Sequence, residues 1–151
     1  MTFTISNIAP SLASYLSAYF PGVSFYEDPN QQGTQCPCMF LQQRYSYIEL
    51  RQNQRYLRRI GLDLTYLEDF NLPNMQQLYQ NAAEVLDEQL ETFPYSDGET
   101  TSLLRTYDRS WTIDLDAMHY KFELQVWVYE QKDEALMQTM EYTQEIGRAH
   151  V

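Results

Sequence analysis

The chain has 151 residues, 44% of them hydrophobic, which is enough for one buried core without disulfide or metal support. Twenty-one acids against ten bases give a formal net charge of −11, which excludes a general affinity for nucleic-acid phosphates. No apolar run reaches the roughly 18 residues of a membrane span, and no basic-then-apolar leader opens the sequence, so neither a transmembrane helix nor a classical export signal is expected.

Ser6-Asn7 offers a helix cap and Pro10 falls where a first turn tolerates it. Ile8, Leu12, Tyr15, Leu16, Tyr19 and Phe20 then recur at helical spacing until Pro21-Gly22, predicting a first amphipathic helix. Residues 23–27 alternate briefly, as a short strand does, and residues 28–37 have the Pro, Asn, Gly and Gln content of an exposed loop. Cys36 and Cys38 are separated only by Pro37, a spacing that strains a disulfide, so both are expected reduced, in a cytosolic compartment.

Residues 38–67 predict two strands joined by the polar turn Gln52-Asn53-Gln54. In the second strand Tyr56, Arg58, Ile60, Leu62, Leu64 and Tyr66 share one face, with Leu57, Arg59, Gly61, Asp63, Thr65 and Leu67 on the other. The same hairpin holds Arg44, Arg51, Arg55, Arg58 and Arg59, five of the ten basic residues of an acidic chain.

Asn71 to Asn74 supply a turn and cap before Met75, Leu78, Tyr79, Ala82, Val85, Leu86, Leu90 and Phe93, the most regular helical stripe present, which Pro94 ends. This second helix is expected to cover one face of the sheet. Ser96-Asp97-Gly98 predicts a turn, residues 103–113 a strand, and residues 118–129 the cleanest alternation of all, paired with its predecessor across Asp114-Asp116. The expected fold class is α+β, with a mainly antiparallel or mixed sheet of about five strands, two main helices and the order α-β-β-β-α-β-β.

Residues 1–130 are expected to form a single domain. Residues 131–144, with Leu136, Met137 and Met140 in polar surroundings, read either as a short helix or as an extended arm. Residues 145–151 read as a non-native tail. Ile146-Gly147-Arg148-Ala149-His150-Val151 can be encoded as ATC GGA AGA GCA CAC GTC, which after the AG of a Glu145 codon resembles a common sequencing adapter translated as protein, so no function is expected of these residues.

Candidate chemistry is sparse. Cys36-Pro37-Cys38 lacks the four ligands of a structural zinc site, and the only histidine before the tail is His119. Asp114 and Asp116 form a D-x-D that suits a divalent cation or an acid/base pair, but a hairpin turn favours Asp for backbone reasons alone. His119 stands without a nucleophile placed by any motif, and reads as a partly exposed strand residue. No catalytic, cofactor-binding or metal-binding residue is expected. The arginines are the least ordinary feature. Either Arg58 and Arg59 pair with helix carboxylates and lie along the sheet, or the cluster meets the acidic face of another copy or of a partner, since Arg and Tyr are favoured at interfaces. The interface candidates are Arg44, Arg51, Arg55, Tyr56, Arg58 and Arg59.

Phe20-Pro21 closing the first helix, Pro37-Cys38-Met39-Phe40-Leu41 opening a strand, and Arg55-Tyr56-x-Arg58 followed by Asp63 and Tyr66 resemble the tail terminator proteins of long-tailed bacteriophages and prophages. Asp116-Ala117-Met118-His119-Tyr120 resembles that family's D-G-x-L-H-F entry to the last strand, with Ala117 in place of the glycine. The likeness runs from about Ser6 to Glu130. It implies a non-enzymatic virion protein, made in the host cytoplasm, that closes the head-proximal end of the tail tube as a ring of six copies. Such a ring stops tube growth, joins the head connector and lets DNA pass without specific binding. It implies no cofactor and no membrane. From composition alone, an acidic partner-binding protein, such as a DNA mimic or an inhibitor of a basic factor, also explains the charge, while sparse His, Cys and Gly disfavour a small enzyme.

Overall fold

The computed structural model describes residues 3–27, 35–69, 72–114 and 116–129. The segments expected as an arm or short helix (131–144) and as a non-native tail (145–151) lie outside them. A 3-10 turn, Ile5–Asn7, runs into helix α1, Ile8–Leu16. Strands β1, Ser24–Tyr26, β2, Cys38–Leu50, and β3, Arg55–Leu67, follow, then helix α2, Met75–Gln89. Three further strands complete the described fold: β4, Thr92–Ser96, β5, Thr101–Ile113, and β6, Met118–Tyr129.

All six strands form one sheet in the order β1-β2-β3-β6-β5-β4. β1 runs parallel to β2 and every other neighbouring pair is antiparallel, so the fold is α+β with a mixed sheet. The sixth strand corrects the expectation of about five. Phe93 does not continue the helical stripe: α2 ends at Gln89, and Thr106 of β5 closes it, its hydroxyl donating to the Leu90 carbonyl at 2.5 Å and its N–H to the Glu91 carbonyl at 2.9 Å. The chain then turns into β4, where Pro94 is tolerated because β4 is the sheet edge and no inner ladder needs its missing N–H. α1 is likewise shorter than its apolar spacing, with Tyr19 and Phe20 in the turn beyond it.

Both helices lie on one face of the sheet. Ile8, Leu12 and Leu16 of α1 and Tyr79, Ala82, Ala83 and Leu86 of α2 join Ile60, Leu62, Leu64 and Tyr66 of β3 and Met118, Tyr120, Phe122 and Leu124 of β6 in a single buried cluster. The tyrosines enter this core because each buried hydroxyl finds a partner. Tyr95 accepts from the Thr4 N–H at 2.8 Å, Tyr79 donates to the Asp116 carbonyl at 2.9 Å, and Tyr120 donates to Asp87 Oδ1 at 2.7 Å. Burial and the Asp87 carboxylate push the Tyr120 phenol above its ordinary range. Asp87 also accepts from Trp111 Nε1 at 3.3 Å, so one helix residue ties α2 to β5 and β6.

The β3 alternation is as expected, but the far face is not bare. Asp63, Thr65 and Glu123 are buried there, on the side opposite α1 and α2. A bulge at Arg44 restores the pattern in β2: Gln42 stands opposite Asp63, and after the extra residue Tyr45 stands opposite Gly61 on that same face. The Tyr45 ring lies against Gly61 so closely that an added Cβ would sit 2.2 Å from it.

Candidate assembly surface

β5 leaves β6 after the Thr106–Leu124 pair to join β4, whereas β2, β3 and β6 run on. The result is a three-stranded extension, built from residues 46–50, 55–59 and 125–129, that reaches past the helices. Burial falls along it. On the helix-side face Ile60 and Leu124 are fully buried, Tyr56, Arg58, Val126 and Val128 are half-buried, and Ile48 and Leu50 are 50% and 67% exposed. On the other face Leu57 is buried and Trp127 is 46% exposed. The closing turn is tight. Arg51 N–H donates to the Arg55 carbonyl at 2.7 Å, with Asn53 and Gln54 at positive φ.

The arginines of this hairpin divide into two sets. Arg59 reaches Glu49 Oε1 at 3.1 Å and Glu123 Oε2 at 3.2 Å, and Arg51 reaches Glu49 Oε2 at 2.5 Å. These partners are sheet carboxylates, not the helix carboxylates expected, because the side chains lie on the face opposite α1 and α2. Glu123 also accepts from Tyr45 at 2.7 Å and from Gln125 at 2.8 Å. Burial alone would raise its carboxyl pKa, but the bonds from Gln125, Tyr45 and Arg59 outweigh that and hold it below the usual glutamate range. Burial, together with the bond to Glu123, pushes the Tyr45 phenol up to about 12.

Arg44, Arg55 and Arg58 form the second set and make no ion pair among the described residues. Arg44 stands on the bulge, 5.4 Å from the Tyr45 ring centroid, and Arg55 packs over Trp127 at 4.6 Å. The Nε atoms of Arg55 and Arg58 are buried without a hydrogen-bond partner. Of the six interface candidates, then, Arg51 and Arg59 are engaged with described carboxylates, Tyr56 is half-buried on the extension, and Arg44, Arg55 and Arg58 have no ion-pair partner among the described residues.

A family model for phage tail terminator proteins matches residues 7–135. The chain belongs to the phage tail terminator family. A comparison with curated proteins finds no match.

The terminator motifs occupy definite places in this fold. Phe20 is buried where the chain leaves α1, Met39 enters the core at the start of β2 while Phe40 is buried on the opposite face, and Asp63 and Tyr66 lie at the buried end of β3. Ala117 serves where the family glycine was expected, since positive φ among described non-glycine residues is confined to Asn53, Gln54 and Asp108. The turn closes by the Asp114 N–H donating to the Ala117 carbonyl at 2.8 Å.

His119 is less solitary than it reads in sequence. Its Nδ1 lies 2.9 Å from Asp63 Oδ2 and its Nε2 3.2 Å from Asp114 Oδ2, while Thr65 donates to Asp63 Oδ1 at 3.0 Å. The ring thus ties β3, β6 and the β5–β6 turn together. Among the described residues no His, Cys, Asp and Glu side chains gather as three or more metal ligands. Cys36 and Cys38 are free, and no described helix is long and apolar enough to cross a membrane. The groove of about 130 Å³ between α1 and β1–β2, lined by Leu12, Phe25 and Met39 among others, holds no nucleophile paired with a base.

Proposed function

We propose that this tail terminator is a non-enzymatic virion subunit whose copies close into a ring of six on the head-proximal end of the tail tube, stop its growth and meet the head connector. The partners in this reading are other copies of the chain, the tube protein and the connector. The three-stranded extension carries the reading. It presents Ile48 and Leu50 to solvent beside Arg58 on one face and Trp127 beside Arg55 on the other, and neither arginine has an ion-pair partner among the described residues, in a chain that is otherwise acidic. An apolar centre with Arg and aromatic side chains is the composition that protein interfaces favour. The net charge of −11 suits a passage that DNA crosses without being held.

The test is binding to assembled tail tubes, and tube length with and without the protein. Wild type is expected to bind and to shorten tubes grown from purified tube protein. Arg55→Glu, with native circular dichroism, is expected to bind less tightly and with weaker salt dependence. Equal binding by the two proteins removes the hairpin from the interface, and no effect on tube length refutes the capping role.

A further inference from the structure

The edge of a sheet carries unpaired backbone N–H and C=O groups, and native proteins blunt it with short strands, Pro, Lys or bulges. The two outermost strands of this sheet are blunted in that way: β1 is three residues long and β4 carries Pro94. Two inner strands keep longer open edges. β1 covers β2 only at residues 38–40, so the outer edge of β2 over residues 41–50 has no ladder partner among the described residues. β5 leaves β6 at Leu124, so the edge of β6 over residues 125–129 has none either. The bulge at Arg44 guards the start of the β2 edge, but residues 45–50 and 125–129 hold no Pro and no Lys. Their one charged side chain, Glu49, is already engaged by Arg51 and Arg59. Tyr47, Ile48, Leu50 and Trp127 stand on these two segments and are between 45% and 67% exposed, so apolar surface lies beside the open backbone.

The two edges lie on opposite sides of the three-stranded extension and run in the same direction, since β2 and β6 are each antiparallel to β3. Their faces also agree. Ile48 and Val126 stand in one row across β3, as do Leu50 and Val128, whereas Glu49 and Trp127 share a row on the other face. We propose that residues 45–50 of β2 in one copy pair as a parallel ladder with residues 125–129 of β6 in the next copy, so that the sheet continues from subunit to subunit. This contact rests on the ring reading above, because a closed ring of identical copies needs two different surfaces per copy, one given and one received. One such contact satisfies both edges of every copy, whereas a two-fold contact of β2 with β2 leaves every β6 edge open. Ile48 and Leu50 come to lie on the face of Val126 and Val128, and Tyr47 on that of Trp127, so apolar side chains are covered on both sides of the ladder.

The test is oxidative cross-linking of the full chain in a Cys36→Ser background, Cys38 being buried. Ile48→Cys is oxidised alone and in equal mixture with Val126→Cys, Val128→Cys or Trp127→Cys. Disulfide-linked dimers are expected from the mixtures with Val126→Cys or Val128→Cys, which share the face of Ile48, and not from the mixture with Trp127→Cys, because a disulfide joins side chains that point the same way. No variant is expected to cross-link to itself. Leu50→Lys, which adds the charge that natural edges use, is expected to weaken association about tenfold in sedimentation velocity with native circular dichroism, Leu50 being 67% exposed. Ile48→Cys linking to itself as well as in the mixtures, linking as well to Trp127→Cys, or linking in no mixture overturns the ladder. So does Leu50→Lys associating like wild type, or a wild type that stays monomeric at about 1 mM. Tube binding by wild type, measured alongside, shows whether the capping role fails with it or stands without it.

Discussion

Glu123→Gln tests how the face of the sheet opposite α1 and α2 is held together. The carboxylate is 4% exposed, yet it accepts from Tyr45, Gln125 and Arg59 at 2.7, 2.8 and 3.2 Å. Glutamine keeps the shape but removes the charge, and its amide turns one acceptor position into a donor facing donors. The loss of charge-assisted hydrogen bonds at a buried site is expected to cost about 1.5–3 kcal/mol at neutral pH. Because the folded-state pKa is held below the ordinary glutamate value of about 4.3, the stabilisation by the ionised group is complete above that value. It is lost as pH falls through the folded pKa, where the wild-type carboxyl is itself neutral. Urea denaturation of both proteins, run from pH 7 to the lowest pH at which wild type folds, should therefore show a difference that is constant above about pH 5 and shrinks below about pH 4. A difference that grows toward acid, or one below about 0.5 kcal/mol at pH 7, would refute the assignment of Glu123 as the buried charged hub.

Leu86 is fully buried beneath α2, so Leu86→Ala is expected to cost about 2–5 kcal/mol in chemical denaturation, and a surface-like loss would take that helix out of the core. Gly61→Ala places a methyl group within the Tyr45 ring and is expected to cost about 1–3 kcal/mol, whereas pairing it with Tyr45→Ala should recover part of the loss by removing the obstacle. Deleting residues 145–151 is expected to leave the melting temperature and the salt dependence of association unchanged; a clear drop in either would mean that the tail packs.

The elements that were legible in the sequence are those whose period agrees with their burial. β6 alternates because its even-numbered residues face both helices, and α2 carries an apolar stripe because one side of it meets β5 and β6. β4 was not legible, because Phe93 falls three residues after Leu90 and so continues a helical stripe. Only the tertiary contact of Thr106 with the helix end separates the two elements. The bulge at Arg44 and the register shift between Tyr107 and Ser110 of β5 were hidden for a related reason: an extra residue is visible only as a change of phase against a partner strand. Within the candidate surface, the concentration of arginine could be read at once, but not its division. That Arg59 is compensated depends on Glu123, 64 residues away in sequence and brought alongside by the β3–β6 register. The Asp63–His119–Asp114 tie escaped for the same reason, since each residue alone has an ordinary explanation as a strand or turn residue.

This division decides which arginine can report on assembly. Arg59 bridges Glu49 and Glu123, so reversing its charge would place three acids together and disturb the sheet whether or not copies associate. Arg51 shares Glu49 with it and would shift the same balance. Arg58 lies on the helix-side face beside Val126 and opposite Ile48, where its aliphatic stem covers apolar surface, so truncating it changes packing as well as charge. Among the described residues Arg44 and Arg55 make no ion pair and set their guanidinium groups against aromatic rings, interactions worth on the order of 0.5–1 kcal/mol at such sites. Reversal at these two positions can therefore leave the fold intact while changing the sign of the charge offered to a neighbour. If Arg55→Glu instead unfolded the protein, the Arg55–Trp127 stack would have to be part of the fold's own stability, and the extension would be a structural end of the sheet before it is a surface for assembly.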